Sequence, residues 1–217
     1  MSKIKTIDER LSEGRQYRDI DVSAFERREE DDGEMVVEGY ATTFNQPYEL
    51  WSDGGYTVME QIDRRAFDGC DMDDVIMQYN HEGRVFARTG NGTLSVDPDE
   101  KGLHIRARLG GTELGRQVYE EINGGYTTKM SFGFRVLEDT REVTENREDN
   151  TVTVLRTITK FEKLYDVSAV SLPANDATSI SARSYCEGVI AEVAEEFRAR
   201  QMRERQKQKI RILTEVI

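Results

Sequence analysis

The sequence predicts a mainly β fold with flanking helices, an α+β chain whose strands form a closed or nearly closed antiparallel barrel with helices packed outside. Three observations carry that expectation. Between residues 35 and 172, apolar and polar residues alternate in short runs broken by Gly, Asn, Asp and Pro. One segment, 112–123, instead places apolar residues at helical spacing. From Ser184 to about Leu213 the pattern is helical again, and no internal repeat is present.

Taken in order, residues 1–33 are polar and lack periodicity, and read as a loosely ordered leader. Residues 34–183 read as the barrel domain and 184–217 as a C-terminal helix and tail. The first strand starts at Met35 in MVVEGYATTF, with Val37, Gly39, Ala41 and Thr43 facing away from Val36, Tyr40 and Phe44. Pro47 ends the run because it lacks a ladder donor. Tyr56–Ile62 is a second strand behind the Gly54-Gly55 turn, and Asp63 is expected to cap a short helix through Phe67. Val75–Tyr79 delivers Asn80 and His81 at its end. Phe86–Arg88, Gly92–Val96 and Gly102–Leu109 follow, separated by turn formers.

Thr112 is an N-cap for a helix with Leu114, Val118 and Ile122 on one face, stopped by Gly124-Gly125. In the strand Tyr126–Leu137, Met130, Phe132, Phe134 and Val136 lie on one side. Ser131, Gly133 and Arg135 lie on the other. An acidic loop, 138–149, precedes two strands, Thr151–Thr159 and Phe161–Leu172, the second ended by Pro173. Val189, Ile190, Val193, Ala194 and Phe197 form the apolar stripe of the last helix, which carries acids early and bases late, as the macrodipole prefers.

The 217 residues carry a net charge of −12, which argues against a nucleic-acid partner because phosphate binding needs a basic face. No apolar run approaches the ~20 residues of a membrane span, so no membrane partner is expected. Cys70 and Cys186 fit neither a metal site nor a disulfide framework and read as reduced thiols of a cytoplasmic protein. No phosphate loop, zinc spacing or calcium loop occurs, so no cofactor or metal is expected. The Asp71, Asp73, Asp74 cluster reads as a turn cap.

Two histidines limit where proton transfer near neutral pH can occur. His104 alternates with Arg106 and Arg108 on a polar face and reads as a surface residue. His81 stands where an apolar strand gives way to a turn, a place that suits either a loop histidine or a reactive one. Ser131 has Gly133 next on its own face, which leaves room for another chain to approach. By spacing alone it fits a buried serine bonded to a neighbouring carbonyl better than a nucleophile. Asp166 interrupts an apolar run, and a buried carboxylate needs a partner; an arginine would serve as well as His81.

Several segments together are more specific. Glu38-Gly39-Tyr40-Ala41, Asn80-His81 leading to Arg88-Thr89, and Gly102-Leu103 come first. Met130-Ser131-Phe132-Gly133-Phe134, Asp166-Val167-Ser168-Ala169-Val170 and Pro173-Ala174-Asn175 follow. In order and spacing this series resembles the tailed-phage prohead protease family, relatives of the herpesvirus assemblins. The resemblance implies an assemblin-like barrel surrounded by helices and a serine endopeptidase acting in the immature capsid, within the host cytoplasm. By it Ser131 is the nucleophile, His81 the base and Asp166 the third member, with Glu162 in reserve. It also implies the turn at Pro173-Ala174-Asn175 as an oxyanion-donor source. Substrates would be the scaffolding segment of the major capsid protein and the chain itself, as a homo-oligomer, with the leader as a propeptide. The rival reading is a non-enzymatic capsid scaffold or assembly chaperone in which Ser131 and His81 are structural.

Overall fold

A computed structural model describes residues 14–20, 26–29, 34–146, 148–170 and 176–215. The strands are β1 (Gln16–Ile20), β2 (Glu26–Glu29), β3 (Met35–Thr43), β4 (Tyr48–Asp53), β5 (Tyr56–Ile62), β6 (Ile76–Tyr79), β7 (Glu82–Arg88), β8 (Leu94–Pro98) and β9 (Gly102–Arg108). Helix α1 (Glu113–Asn123) is followed by β10 (Lys129–Asn146), β11 (Thr151–Val170) and helix α2 (Asp176–Glu215).

The strands pair into two sheets, one in the order β2-β3-β9-β8 and a larger one in the order β1-β10-β11-β5-β4, with β6 on β11 and β7 on β6. Mainly β with helices therefore holds, but the sheets are not closed into a barrel. Nor are they wholly antiparallel, because β11 runs parallel to both β5 and β6. The 20-residue length of β11 explains how: its first half takes β5 and its last residues take β6 along one edge.

Alternation places the core correctly. Phe132, Phe134 and Phe161 from the larger sheet and Val37, Leu103 and Ile105 from the smaller one share one buried cluster. The Phe134 and Phe161 rings meet edge to face at 5.0 Å, a favoured aromatic geometry. Thr112 caps α1 by accepting from the Gly115 N–H at 2.9 Å, as expected. Leu114, however, is exposed, and Gly115, Val118 and Ile122 form the buried face.

Other differences have local causes. Asp63 organises a turn, accepting from the Arg65 N–H at 2.8 Å, and no helix follows. The acidic stretch through Asn146 is strand, because its charges are matched: Glu138 meets Lys160 at 2.8 Å and Asp139 meets Arg156 at 2.7 Å. Opposite it, Thr151–Val170 is one strand whose register slips absorb the break expected near Lys160. The Tyr48–Asp53 strand was not legible as such, and α2 begins eight residues before Ser184. The polar leader supplies β1 and β2, one to each sheet.

Candidate active site

Three neighbouring strands build the site. β11 lies in the middle, with Ser168 opposite Ser131 and Asp166 opposite Gly133 on β10, and with Ser168 beside Gln78 on β6. Ser131, Asp166 and Ser168 thus face the same way, since side chains two apart share a face. Tyr79 pairs with Glu82, so Asn80 and His81 alone turn the chain between β6 and β7. Both have left-handed φ, 49° and 59°, as a two-residue type I′ hairpin requires. Asn and His tolerate that region better than most residues. His81 is therefore the tip of a tight turn, folded back over the sheet, rather than the end of a strand.

The turn is tied down where the imidazole must point. The His81 backbone N–H donates to Ser168 Oγ at 3.2 Å, and the Ser168 hydroxyl lies 3.2 Å from Asp166 Oδ1. His81 Nδ1 contacts Asp166 Oδ1, and His81 Nε2 lies 2.6 Å from Ser131 Oγ. An ionised Asp166 only accepts, so Nδ1 carries the proton and Nε2 is left to accept from Ser131. Ser131, His81, Asp166 and Ser168 all have 0% exposure. Glu162 is not brought to this cluster; it is half exposed and paired with Arg135 at 3.4 Å. His104 lies apart, its ring edge-on to Tyr40 at 5.2 Å. Pro173-Ala174-Asn175 lie outside the described residues.

Gly133 is required by the packing. A Cβ there would stand 2.5 Å from Asp166 Oδ2 and 2.9 Å from the Tyr17 ring, far inside contact distance. The carboxylate lies against a bare stretch of β10, and the space expected beside Ser131 is filled by Asp166 and by the leader.

The leader is the feature that sequence reasoning missed. β1 runs antiparallel along β10, with Asp19 opposite Ser131 and Tyr17 opposite Gly133. Its Tyr17 ring packs on His81 at 4.5 Å, and Arg15 pairs with Asp166 Oδ2. The Arg18 carbonyl accepts from Ser131 Oγ at 3.0 Å. A hydroxyl has one proton, so this carbonyl competes with His81 for it. Ser168 was also missed as a positioning group, although its two-residue spacing from Asp166 marks them as sharing a face.

On the sheet face away from Ser131 lies a second buried cluster. Glu60 receives Arg18 Nε at 2.6 Å, Arg156 Nη1 at 2.7 Å and the Tyr48 hydroxyl at 2.5 Å. Burial alone would raise the Glu60 pKa, but Arg18 and Arg156 outweigh it and lower the value to about 2. Burial, reinforced by Glu60, holds the Tyr48 phenol well above its ordinary value. Both free cysteines are pushed up to about 11 by burial, which leaves them thiols at neutral pH. Asp71 and Asp74 are in ion pairs with Lys163 and Arg88. Among the described residues no group of three or more His, Cys, Asp or Glu side chains could hold a metal ion, and no helix is long and apolar enough to cross a membrane.

No curated protein sequence matches the chain. Among solved structures, that of the bacteriophage T4 capsid assembly protease, gp21, aligns with 72% of this chain and 96% of its own at 11% identity, with a TM-score of 0.39. The Caudovirus prohead serine protease family matches residues 23–190, and the chain belongs to that family.

Proposed function

We propose that this member of the prohead serine proteases is an endopeptidase in which Ser131 is the nucleophile, His81 the base and Asp166 the acid that orients it. The reading rests on one observation: Ser131 Oγ lies 2.6 Å from a His81 nitrogen whose ring partner faces a buried carboxylate. A serine hydroxyl needs such a base, and the base needs such an orienter.

The chemistry follows from the contacts. His81 Nε2 takes the Ser131 proton as Oγ attacks a peptide carbonyl carbon, and Asp166 stabilises the imidazolium that forms. His81 then protonates the departing amine as the C–N bond breaks, leaving an acyl-enzyme. Water, deprotonated by the same imidazole, attacks the acyl carbon and releases the acid and Ser131. Arg15 and the Ser168 hydroxyl give the buried Asp166 carboxylate further polar partners.

Family membership supports a role in capsid maturation within the immature capsid, in the host cytoplasm. Its substrates there are the scaffolding segment of the major capsid protein and the chain's own polar ends, with the enzyme assembled as a homo-oligomer. The full burial of Ser131 under the leader supports a latent form that waits for β1 to leave or be cut. Co-expression with the capsid protein tests the reading: Ser131→Ala should abolish capsid-protein cleavage, a loss of at least ~10³-fold, with the fold intact by circular dichroism. Undiminished cleavage by Ser131→Ala overturns it in favour of a capsid scaffold or assembly protein.

A further inference from the structure

The leader strand lies in the site as a polypeptide substrate would. β1 stands at the edge of the larger sheet, extended and antiparallel to the strand that carries the nucleophile. Protein substrates commonly bind by adding a strand to such an edge, with pockets for alternate side chains giving selectivity. The carbonyl that meets Ser131 Oγ, at 3.0 Å, belongs to Arg18. Ser131 Oγ thus meets the peptide group between Arg18 and Asp19 at its carbonyl oxygen.

The Arg18 side chain leaves the nucleophile's face and enters the second cluster, where it is 1% exposed. Glu60 accepts from its Nε at 2.6 Å and its Nη2 at 3.1 Å, a bidentate charge-assisted pair. The Phe134 ring forms a wall, 5.6 Å from the guanidinium carbon. Glu60 is itself aimed from outside the leader. Arg156 of β11 holds one carboxylate oxygen and Tyr48 of β4 the other, so Glu60 keeps two partners outside β1, while Gln16 of β1 accepts from Arg156 at 3.1 Å.

Charge decides what the pocket accepts. Without Arg18, two carboxylates, Glu60 and Asp139, would face one guanidinium, Arg156. Arg141 nearby is already bonded to Glu192. One positive charge is missing, and a buried uncompensated carboxylate is costly. A neutral side chain leaves that charge bare and an acidic one adds to it.

Resting on the serine-protease reading above, we propose that Glu60 is the floor of a substrate pocket that selects a basic side chain, arginine over lysine, immediately before the scissile bond, and that Arg18 occupies it here. Lysine brings the charge but only as a point, without the fork that engages both carboxylate oxygens. In the step itself Ser131 Oγ bonds to the carbonyl carbon of the basic residue and the C–N bond to the next residue breaks. The amine leaves with the proton that His81 took, and water completes the hydrolysis.

The test uses the full-length protein and internally quenched peptides of the leader sequence around GRQYRDID, with Arg, Lys, Gln or Glu at the place of Arg18. Rates and cut positions are read by mass spectrometry. The Arg peptide should be cut after the arginine, Lys more slowly by about tenfold, and Gln and Glu more slowly by at least about a hundredfold. In Glu60→Gln the Arg-to-Gln preference should shrink by at least about tenfold. A purely structural Glu60 would slow all four peptides alike and leave the ratio unmoved. Equal rates for the four peptides, cuts elsewhere, or an unchanged ratio in Glu60→Gln overturn the proposal. If Glu60→Gln does not fold by circular dichroism, the wild-type peptide series decides alone. Cleavage of none of the peptides while a fluorophosphonate still labels Ser131 overturns the pocket but not the protease. Failure of both cleavage and labelling, also in Arg18→Gln protein whose leader has lost its anchor on Glu60, overturns the protease reading itself.

Discussion

Two buried polar clusters share the long strand β11, and they are built to opposite ends. At its C-terminal part Asp166 and Ser168 join His81 and Ser131; at its N-terminal part Arg156 joins Glu60, Asp139 and Tyr48. The Glu60 cluster is closed by full charges, each matched by an opposite one, so its protons do not move near neutral pH. The Ser131 cluster is a chain of hydroxyl, imidazole and carboxylate with one transferable proton. The leader bridges both, with Arg15 on Asp166 and Arg18 on Glu60. The contrast shows how one sheet can hold both an ion network and a hydrogen-bonded line of hydroxyl, imidazole and carboxylate. The difference lies in whether the buried groups are matched by fixed ions or by a line of hydrogen bonds through an imidazole.

Four measurements break or sharpen this contrast. Asp166→Asn keeps the shape but replaces an acceptor-only carboxylate by an amide that can favour the wrong imidazole tautomer, so cleavage of a capsid substrate should fall by about 10⁴-fold. A change under tenfold would mean the relay does not need its carboxylate. Glu60→Ala leaves Arg18 buried without a carboxylate and Arg156 with Asp139 alone, and urea denaturation should show a loss of roughly 3–5 kcal/mol. A loss below about 1 kcal/mol would mean that water reaches the cluster.

Gly133→Ala forces a Cβ against Asp166 and Tyr17, and should cost about 1–3 kcal/mol with a drop in activity larger than the drop in stability suggests. Thermal melts and peptide kinetics on the same protein separate the two. The smallest effect is in pH. The Glu60 pKa in the folded chain lies below its ordinary 4.5, at about 2, so its contribution is present above pH 4.5 and is lost as pH falls toward 2. Stability should drop across that window with a slope of up to about 1.4 kcal/mol per pH unit, and Glu60→Gln should flatten it. An identical slope in the variant would assign the acid sensitivity to other carboxylates.

The residues of the candidate site were legible one by one, but only the family resemblance grouped them. Ser131 and Gly133 on one face of an apolar strand, an acid interrupting another, and a histidine at a turn are local patterns, and the fold brings those side chains together. The reading of 138–149 as a loop failed because its acids are matched by Lys160 and Arg156 on the opposing strand, which composition does not show. The leader failed for the same reason. Residues 16–20 have little apolar alternation of their own, and they are strand because β10 offers an unpaired edge and because Glu60 and Asp166 offer counter-ions.

By itself the sequence determined the face of β10 that carries Ser131 and Gly133, the acid that interrupts the apolar run at Asp166, and the turn beside His81. These depend on neighbours within a few positions along the chain. Only the tertiary structure decided that the sheets stay open, that β11 takes parallel partners on one edge, and that a polar leader closes the site. Those outcomes depend on hydrogen-bond edges and charges separated by up to 151 residues, between Arg15 and Asp166, whose matching has no local signature.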